Sequence, residues 1–406
     1  MTIGGACYSK MRNRSPKRQM SILVMIHIRS KLCALPLHRF WTPLLATFFT
    51  LTACGERVTR PIKLVHIAAP TLPGGVIRLS VAHVVNSRFE RFSEAQMVEF
   101  LDALKSASEK QFGRRLEFDR VETFSIEEYF KPVPASKIAW RKQMIYDFKK
   151  GTGDRGALEA SYERAIGSQT TPAKEWAAYA AREIGLAKVD TDPSAWKIRL
   201  TDTHLHRLAS LAGMMAADGS PVIDRSLYNE WMYWTALGER DQPHDVVITN
   251  QLVASAEYWS VDIHSALRGG LSVGTTQFAK NTNFGAHFWW STFAYTSNDP
   301  VIVRMRGGER YEPLEAARLA GAGAVHELGH LLFHYEHPFG IPACVMSPTP
   351  MLRFREWVSK FDAAVCFAAN APGMKPGTAK IMRPIYANEA NRKQPLTTLS
   401  GILSAR

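Results

Sequence analysis

The first 55 residues contain no acidic side chain, although they carry eight lysines and arginines. The whole chain has a formal net charge of +13, so these eight residues leave +5 for everything that follows. A body so near neutrality lacks the concentrated positive surface that binding to DNA or RNA requires. We therefore expect no nucleic-acid partner.

Internal repeats and low-complexity tracts are also absent from the sequence. Hydrophobic residues make up 46% and charged residues 21% of the chain. These are the fractions of an ordinary globular protein rather than of a disordered or fibrous one. A chain of 406 residues can bury one sizeable hydrophobic core.

The apolar run FWTPLLATFFTLTAC near the N-terminus is too short to span a bilayer comfortably. It ends in Leu51-Thr52-Ala53-Cys54, which resembles the lipobox of bacterial lipoproteins, in which the cysteine is acylated. The resemblance implies that residues 1–53 are a signal peptide, that Cys54 carries lipid and that residues 54–75 are a tether. An ordinary signal peptide or a weak membrane anchor is the alternative. Gly55 rather than aspartate follows the cysteine, which by resemblance to lipoprotein sorting favours the outer membrane, facing the periplasm.

Cysteine usage agrees with export to the cell envelope. Cys7 and Cys33 would leave with the leader, and Cys54 would carry the lipid, so the mature chain keeps only Cys344 and Cys366. An isolated pair in an oxidising compartment is a disulfide candidate. Two independent buried thiols are the alternative.

The pattern after the tether predicts strand, helix and strand, a βαβ part covering residues 76–125. Residues 76–86 are rich in β-branched side chains and predict a strand. Ser93 and Gln96 form a capping-box pattern that opens a helix, and Gly113 ends it. Residues 116–124 predict the second strand.

Residues 126–235 predict an all-helical insertion with Gly, Pro and Asp breaks. Residues 236–370 complete the body that begins with the βαβ part, and residues 371–406 form a tail with little periodicity. Within that body we predict strands at residues 245–250, 286–295 and 300–305, and a long helix over residues 313–333. The aromatic strand at 286–295 either forms an edge that pairs with an extended substrate or covers the helical insertion.

The segment His326-Glu327-Leu328-Gly329-His330 fits the pattern H-E-x-x-H. On a helix, residues four apart lie on one face, so His326 and His330 can bind one zinc ion. Glu327 lies beside that ion and can accept a proton from a water that zinc acidifies. A surface helix with coincidental histidines is the alternative.

A catalytic zinc needs a third protein ligand and an open position. His334 lies a further turn along the helix, and three successive turns do not converge on one small ion. His337 and Glu336 lie far enough on for the chain to return to the metal, and Pro338 makes continuation of the helix unfavourable. We predict His337, with Glu336 as the alternative.

The order HELGH, a further histidine and Cys344-Val345-Met346 is similar to archaemetzincins, a branch of the metzincin zinc peptidases. The resemblance implies an α+β, metzincin-like fold with a mixed twisted sheet, an active-site helix, a helical insertion and a Met-turn at Met346. It also implies zinc-dependent hydrolysis of protein or peptide substrates. Met346 as an ordinary core residue is the alternative.

The chain departs from the metzincin pattern in two places. Phe333 stands where the family has glycine, and His337 is one residue late, whereas Glu336 is in register. Archaemetzincins also hold a second zinc with four cysteines, for which Cys344 and Cys366 alone do not suffice. Tyr335 could stabilise an intermediate, but a packing role is the simpler reading.

Two further functions stay open from the sequence. Glu356 lies 26 residues beyond His330 on a predicted helix and would be the third ligand of a gluzincin-like peptidase. A non-catalytic envelope binding lipoprotein with a structural or degenerate zinc site is the alternative from another class.

Overall fold

The structure is a computed structural model that describes residues 76–142, 154–169, 172–223, 230–240, 244–254, 261–277, 287–333 and 337–366. The predicted signal peptide, lipidated Cys54, the tether and the C-terminal tail lie outside these residues. Across the part of the chain that is described, helices long and apolar enough to cross a bilayer are not found.

Strands and helices alternate along the chain. The described strands are β1 (Ile77–Leu79), β2 (Val81–Val85), β3 (Leu116–Phe118), β4 (Glu122–Ser125), β5 (Val246–Thr249), β6 (Val253–Ala254), β7 (Leu271–Ser272), β8 (Gly274–Gln277) and β9 (His287–Ser291). The described helices are α1 (Glu94–Phe112), α2 (Ile126–Phe130), α3 (Ala135–Lys142), α4 (Arg155–Gly167), α5 (Ala173–Glu183), α6 (Pro193–Ala212), α7 (Glu230–Glu239), α8 (Ile263–Ala266), α9 (Phe293–Thr296), α10 (Pro300–Met305), α11 (Pro313–Phe333), α12 (Phe354–Ser359) and α13 (Ala363–Cys366).

The main sheet has five strands in the order β4-β2-β5-β9-β8. The first four run parallel to one another, whereas β8 pairs antiparallel with β9 and forms one edge. Two small sheets pair β1 with β3 and β6 with β7. The predicted α+β class with a mixed sheet is therefore confirmed.

Helix α1 connects the parallel strands β2 and β4, as the sequence predicted for this part of the chain. The Ser93 side chain accepts from the backbone N–H of Gln96, whose side chain in turn accepts from the backbone of Ser93. Gly113 ends the helix in the left-handed conformation, with φ of 62°. The buried face of α1, including Phe100 and Leu104, packs against α11.

Each of the two predicted strands of this part is broken into two. Residues 76–86 divide at Ser80, whose backbone N–H and hydroxyl both donate to Asp245 Oδ2, at 3.0 and 2.9 Å. This anchor directs β1 and β2 into different sheets. Residues 116–124 divide in the same way into β3 and β4, because β3 pairs with β1 and β4 pairs with β2.

The predicted strand at residues 300–305 is wrong, because these residues form helix α10. Asp299 caps the helix by accepting from the backbone N–H of Val301 at 2.7 Å, and Pro300 occupies the first turn. In this short segment, start signals for a helix outweigh the β propensity of valine and isoleucine.

The aromatic segment at residues 286–295 forms the interior strand β9, followed by helix α9. It pairs with β5 on one side and β8 on the other, so the expectation of an edge strand here is wrong. The other predicted role of this strand was contact with the helical insertion. Such a contact is present, since Trp289 stacks on Tyr233 of α7 with ring centroids 5.5 Å apart. The edge is β8, a polar four-residue strand that the sequence pattern did not indicate.

Helices α2 to α7 lie between β4 and β5 in the chain, in the region predicted as a helical insertion. Helices α4, α5 and α6 share a buried cluster built around Trp176 and Trp196. Phe339 and Met351, which follow α11, belong to the same cluster. The helical segment therefore packs against the chain that leaves the long helix. The domain boundaries themselves stay predictions.

Close packing of α1 on α11 generates a stability prediction. A Cβ atom at Gly321 would collide with the backbone oxygen of Phe100. We expect Gly321→Ala to lower the free energy of unfolding by about 2 kcal/mol, because a backbone obstacle cannot rotate away. Gly167→Ala is the matched control, since no atom lies within 4 Å of its Cβ position. Chemical denaturation measures both, and equal stability of the two variants would contradict the prediction.

A buried histidine generates a pH prediction. Burial lowers the pKa of His204 to about 4, and the Tyr162 hydroxyl lies 2.6 Å from His204 Nδ1. In the unfolded chain His204 binds a proton near pH 6.5, whereas in the folded chain it stays neutral until about pH 4. The free energy of unfolding therefore falls as the pH drops from about 6.5 to about 4. We expect this fall to be smaller by about 3 kcal/mol in the double variant Tyr162→Phe/His204→Phe. Parallel pH profiles of unfolding for the two proteins would contradict it.

Candidate metal centre

Helix α11 carries two of the three predicted ligands and the predicted base. It spans Pro313–Phe333, as the sequence predicted, and its small apolar residues pack against α1 and the sheet. His326 and Glu327 are buried, with 7% and 4% of their surfaces exposed. Because His330 follows His326 by four residues, both imidazoles lie on the same face of the helix.

Three imidazole nitrogens converge at this face. The Nε2 atoms of His326, His330 and His337 are each 3.1 Å from the other two. Imidazoles around a tetrahedral ion with bonds of about 2.0–2.1 Å have nitrogens about 3.3 Å apart, close to the observed triangle. These three histidines can therefore hold one metal ion.

The tautomer of His326 suits a ligand. Its Nδ1 lies 2.8 Å from the backbone oxygen of Val345, which can only accept, so Nδ1 carries the proton and Nε2 presents a lone pair. Burial, reinforced by the His330 side chain, holds the pKa of His326 well below its usual range. Burial also lowers the pKa of His337, with smaller contributions from His264 and His330. Neutral imidazoles are the form that binds metal.

His337 reaches the triangle from the chain beyond α11. The ring of His264, on α8, contacts the His337 ring edge-to-face with centroids 4.6 Å apart. Two residues later, Phe339 packs against Tyr179 of α5 at 5.2 Å between centroids. The Tyr179 hydroxyl donates to the backbone oxygen of Thr349 at 2.8 Å. Helices α5 and α8 thus hold the segment that carries the third histidine.

Met346 lies directly against helix α11. It is fully buried, and a Cβ atom at Gly329 would collide with the Met346 sulfur. Gly329 stands between the two helical histidines, so the methionine packs beneath them. The contact gives Gly329 of the HELGH motif a steric reason, and the role of Met346 in a Met-turn stays a prediction.

The edge strand β8 positions Glu327. The Thr276 hydroxyl donates to Glu327 Oε2 at 2.7 Å. A Cβ atom at Gly274 would come within 3.1 Å of Glu327 Oε1 and would collide with the Trp290 ring, so glycine lets the strand approach the helix. Glu327 and the three histidines line one cavity of about 280 Å³ with β8 along its wall.

Among the residues that line the cavity, sequence reasoning missed His264, Arg268 and Thr276. They come from segments about fifty residues or more before the motif, and only tertiary contacts bring them to it. The one available signal was Arg268, an isolated cation in the apolar stretch ALRGGL. His264 and Thr276 carry no distinguishing pattern.

Two alternatives for the third ligand were Glu336 and Glu356, and the structure describes only Glu356. The alternative Glu336 lies outside the described residues, as do His334 and Tyr335. Glu356, the gluzincin alternative, is paired with Arg353 at 2.9 Å and with Lys360 at 2.5 Å, and it lines a different cavity. Its hydrogen bond from Lys360 contributes most to lowering the Glu356 pKa.

The predicted disulfide is described at one end only. Cys344 is buried and disulfide-bonded. Cys366 ends helix α13, but its side chain lies outside the described residues, so the pairing of Cys344 with Cys366 stays a prediction.

The triangle of nitrogens generates a prediction about metal content. We expect the zinc-loaded chain to retain one ion, and His330→Ala or His337→Ala to weaken retention by at least about a hundredfold, because two imidazoles hold an ion poorly. Glu356→Ala is the control and keeps its ion. Elemental analysis after dialysis against a chelator series measures the three variants, and full retention by His337→Ala would contradict the assignment.

Comparisons with known proteins add no name to this site. No family model matches the chain, and no curated protein or solved structure matches it.

Proposed function

We propose that this protein is a zinc-dependent endopeptidase of metzincin-like fold, exported and lipid-anchored in the cell envelope. The observation that carries the proposal is the convergence of three histidine nitrogens beside a buried glutamate in one cavity. This donor set leaves a fourth position for water or substrate, as catalytic zinc sites require.

The chemistry divides between the ion and the chain. Bound zinc would polarise the scissile carbonyl and acidify the attacking water. Glu327 accepts the proton of that water and then passes it to the leaving amine. The hydrogen bond from Thr276 fixes the Glu327 carboxylate in the orientation for both transfers.

The edge strand offers a place for an extended substrate. One side of β8 pairs with β9, and among the described residues no strand pairs with the other side. A peptide that adds to this edge gains backbone hydrogen bonds and passes along the wall that contains Thr275 and Thr276. The buried Met346 adds to the resemblance to metzincins.

Glu327→Gln tests the proposed reaction. The amide cannot accept a proton, so we expect kcat on a peptide library or an unfolded protein to fall by about 10²–10⁴-fold while zinc content and melting temperature persist. Glu356→Gln is the control, because that carboxylate lies outside the cavity.

Two outcomes would favour a non-catalytic binding protein instead. One is the absence of any hydrolysis by the zinc-loaded wild type, and the other is unchanged hydrolysis by Glu327→Gln, which would point to a contaminating peptidase.

A further inference from the structure

Arg268 is a buried cation in the wall of the metal cavity. Only 6% of its surface is exposed, and it lines the cavity together with the three histidines. Gly269 and Gly270, with φ of 65° and 79°, form the turn that follows it. A Cβ atom at Gly269 would lie 2.6 Å from the backbone nitrogen of Leu208, so the turn packs tightly on α6. The backbone of Arg268 is therefore held firmly.

The guanidinium of Arg268 has no partner among the described side chains. It makes no ion pair or hydrogen bond with them, and its Nε is buried without an acceptor. Arg306, which is 1% exposed, shows the contrast. Its two terminal nitrogens donate to the backbone oxygens of Ser297 and Glu309. Of these two buried arginines, Arg268 is the one whose terminal nitrogens have no acceptor among the described residues.

The charge of Arg268 reaches the metal centre. It contributes to lowering the pKa of His264, His326 and His337, although burial is the main cause for each. Burial likewise lowers the pKa of Arg268 itself. The charges of Glu183 and Glu327 act on Arg268 in the opposite direction, although neither carboxylate makes a direct ion pair with it. A buried cation with no acceptor in contact is costly to fold, and a ligand that supplies an acceptor offsets that cost. The planar guanidinium fits a carboxylate with two parallel hydrogen bonds.

We propose that Arg268 is a specificity residue that binds a carboxylate of the substrate beside the metal centre. The inference rests on the proposed peptidase function, and it adds a substrate class: peptides with an acidic side chain or a free C-terminus close to the cleaved bond. Both sources present the same group to Arg268, and the experiment separates them.

The first measurement needs no turnover. Calorimetry with the zinc-incubated Glu327→Gln chain compares a short, alanine-based, N-acetylated peptide in three forms: neutral with glutamine and an amidated end, the same peptide with glutamate for glutamine, and the glutamine peptide with a free C-terminus. We expect one or both carboxylate forms to bind at least about tenfold more tightly than the neutral form, because the bonds are charge-assisted. Adding Arg268→Gln should remove that preference, so that the three peptides bind with equal affinity.

The second measurement uses the active chain and separates specificity from other roles. In Arg268→Gln we expect a higher KM for the preferred carboxylate peptide, a fall of at least about tenfold in the ratio of kcat/KM between the carboxylate and neutral peptides, and a melting temperature equal to or above the wild type. Arg304→Gln, at an exposed position on α10, is the matched control and keeps the preference.

Each contrary outcome has its own meaning. Equal binding of all three peptides by the Glu327→Gln chain would overturn the Arg268 assignment, even if peptides are cleaved. An equal loss of kcat on every peptide in Arg268→Gln would overturn the assignment and indicate a role in transition-state stabilisation. A large fall in melting temperature would overturn it and indicate a structural role. Carboxylate binding without any hydrolysis would leave the assignment standing and reject the peptidase.

Discussion

The hydrogen bond between His326 Nδ1 and the backbone oxygen of Val345 connects the two parts of the metal centre. It fixes the tautomer of the first ligand, and it holds the turn that carries Met346 beneath α11. Gly329 permits this approach, since any larger residue there would collide with the methionine sulfur. Without this contact the helix would still present two histidines, but the tautomer of the first ring would no longer be fixed.

The cavity favours the neutral form of the imidazoles of His264, His326 and His337, which lowers stability toward acid. Burial is the main cause of the lowered pKa of His264, His326 and His337, and a nearby unpaired arginine adds to it. Neutral imidazoles can bind a metal ion without first releasing a proton. The positive charge of Arg268 itself repels a cation and attracts a carboxylate, so in the proposed site it would act on the substrate and not on the ion.

Local patterns in the sequence predicted the elements that local interactions determine. The bounds of α11 and the capping of α1 follow from periodicity and from Ser93, Gln96 and Gly113. His337 was favoured over Glu336 on chemical grounds, and the structure brings it to the triangle. Segment 300–305 was mistaken for a strand because its valines and isoleucine were weighed above the Asp299-Pro300 start signal.

Tertiary constraints lay beyond the sequence patterns. Asp245 breaks the first predicted strand from more than 160 residues away, which no local window contains. The edge strand β8 is short and polar, so it has neither the length nor the alternation that indicates a strand. Arg268 and His264 become part of the site only because α8 packs beside the chain that leaves α11.

The helical segment between β4 and β5 is joined to the third ligand through Tyr179, Phe339 and Thr349. A shortened chain without that segment would keep the HELGH helix, yet the loop with His337 would lose its support. Binding of the metal ion would then require both regions, far apart in the sequence, to be folded and packed together.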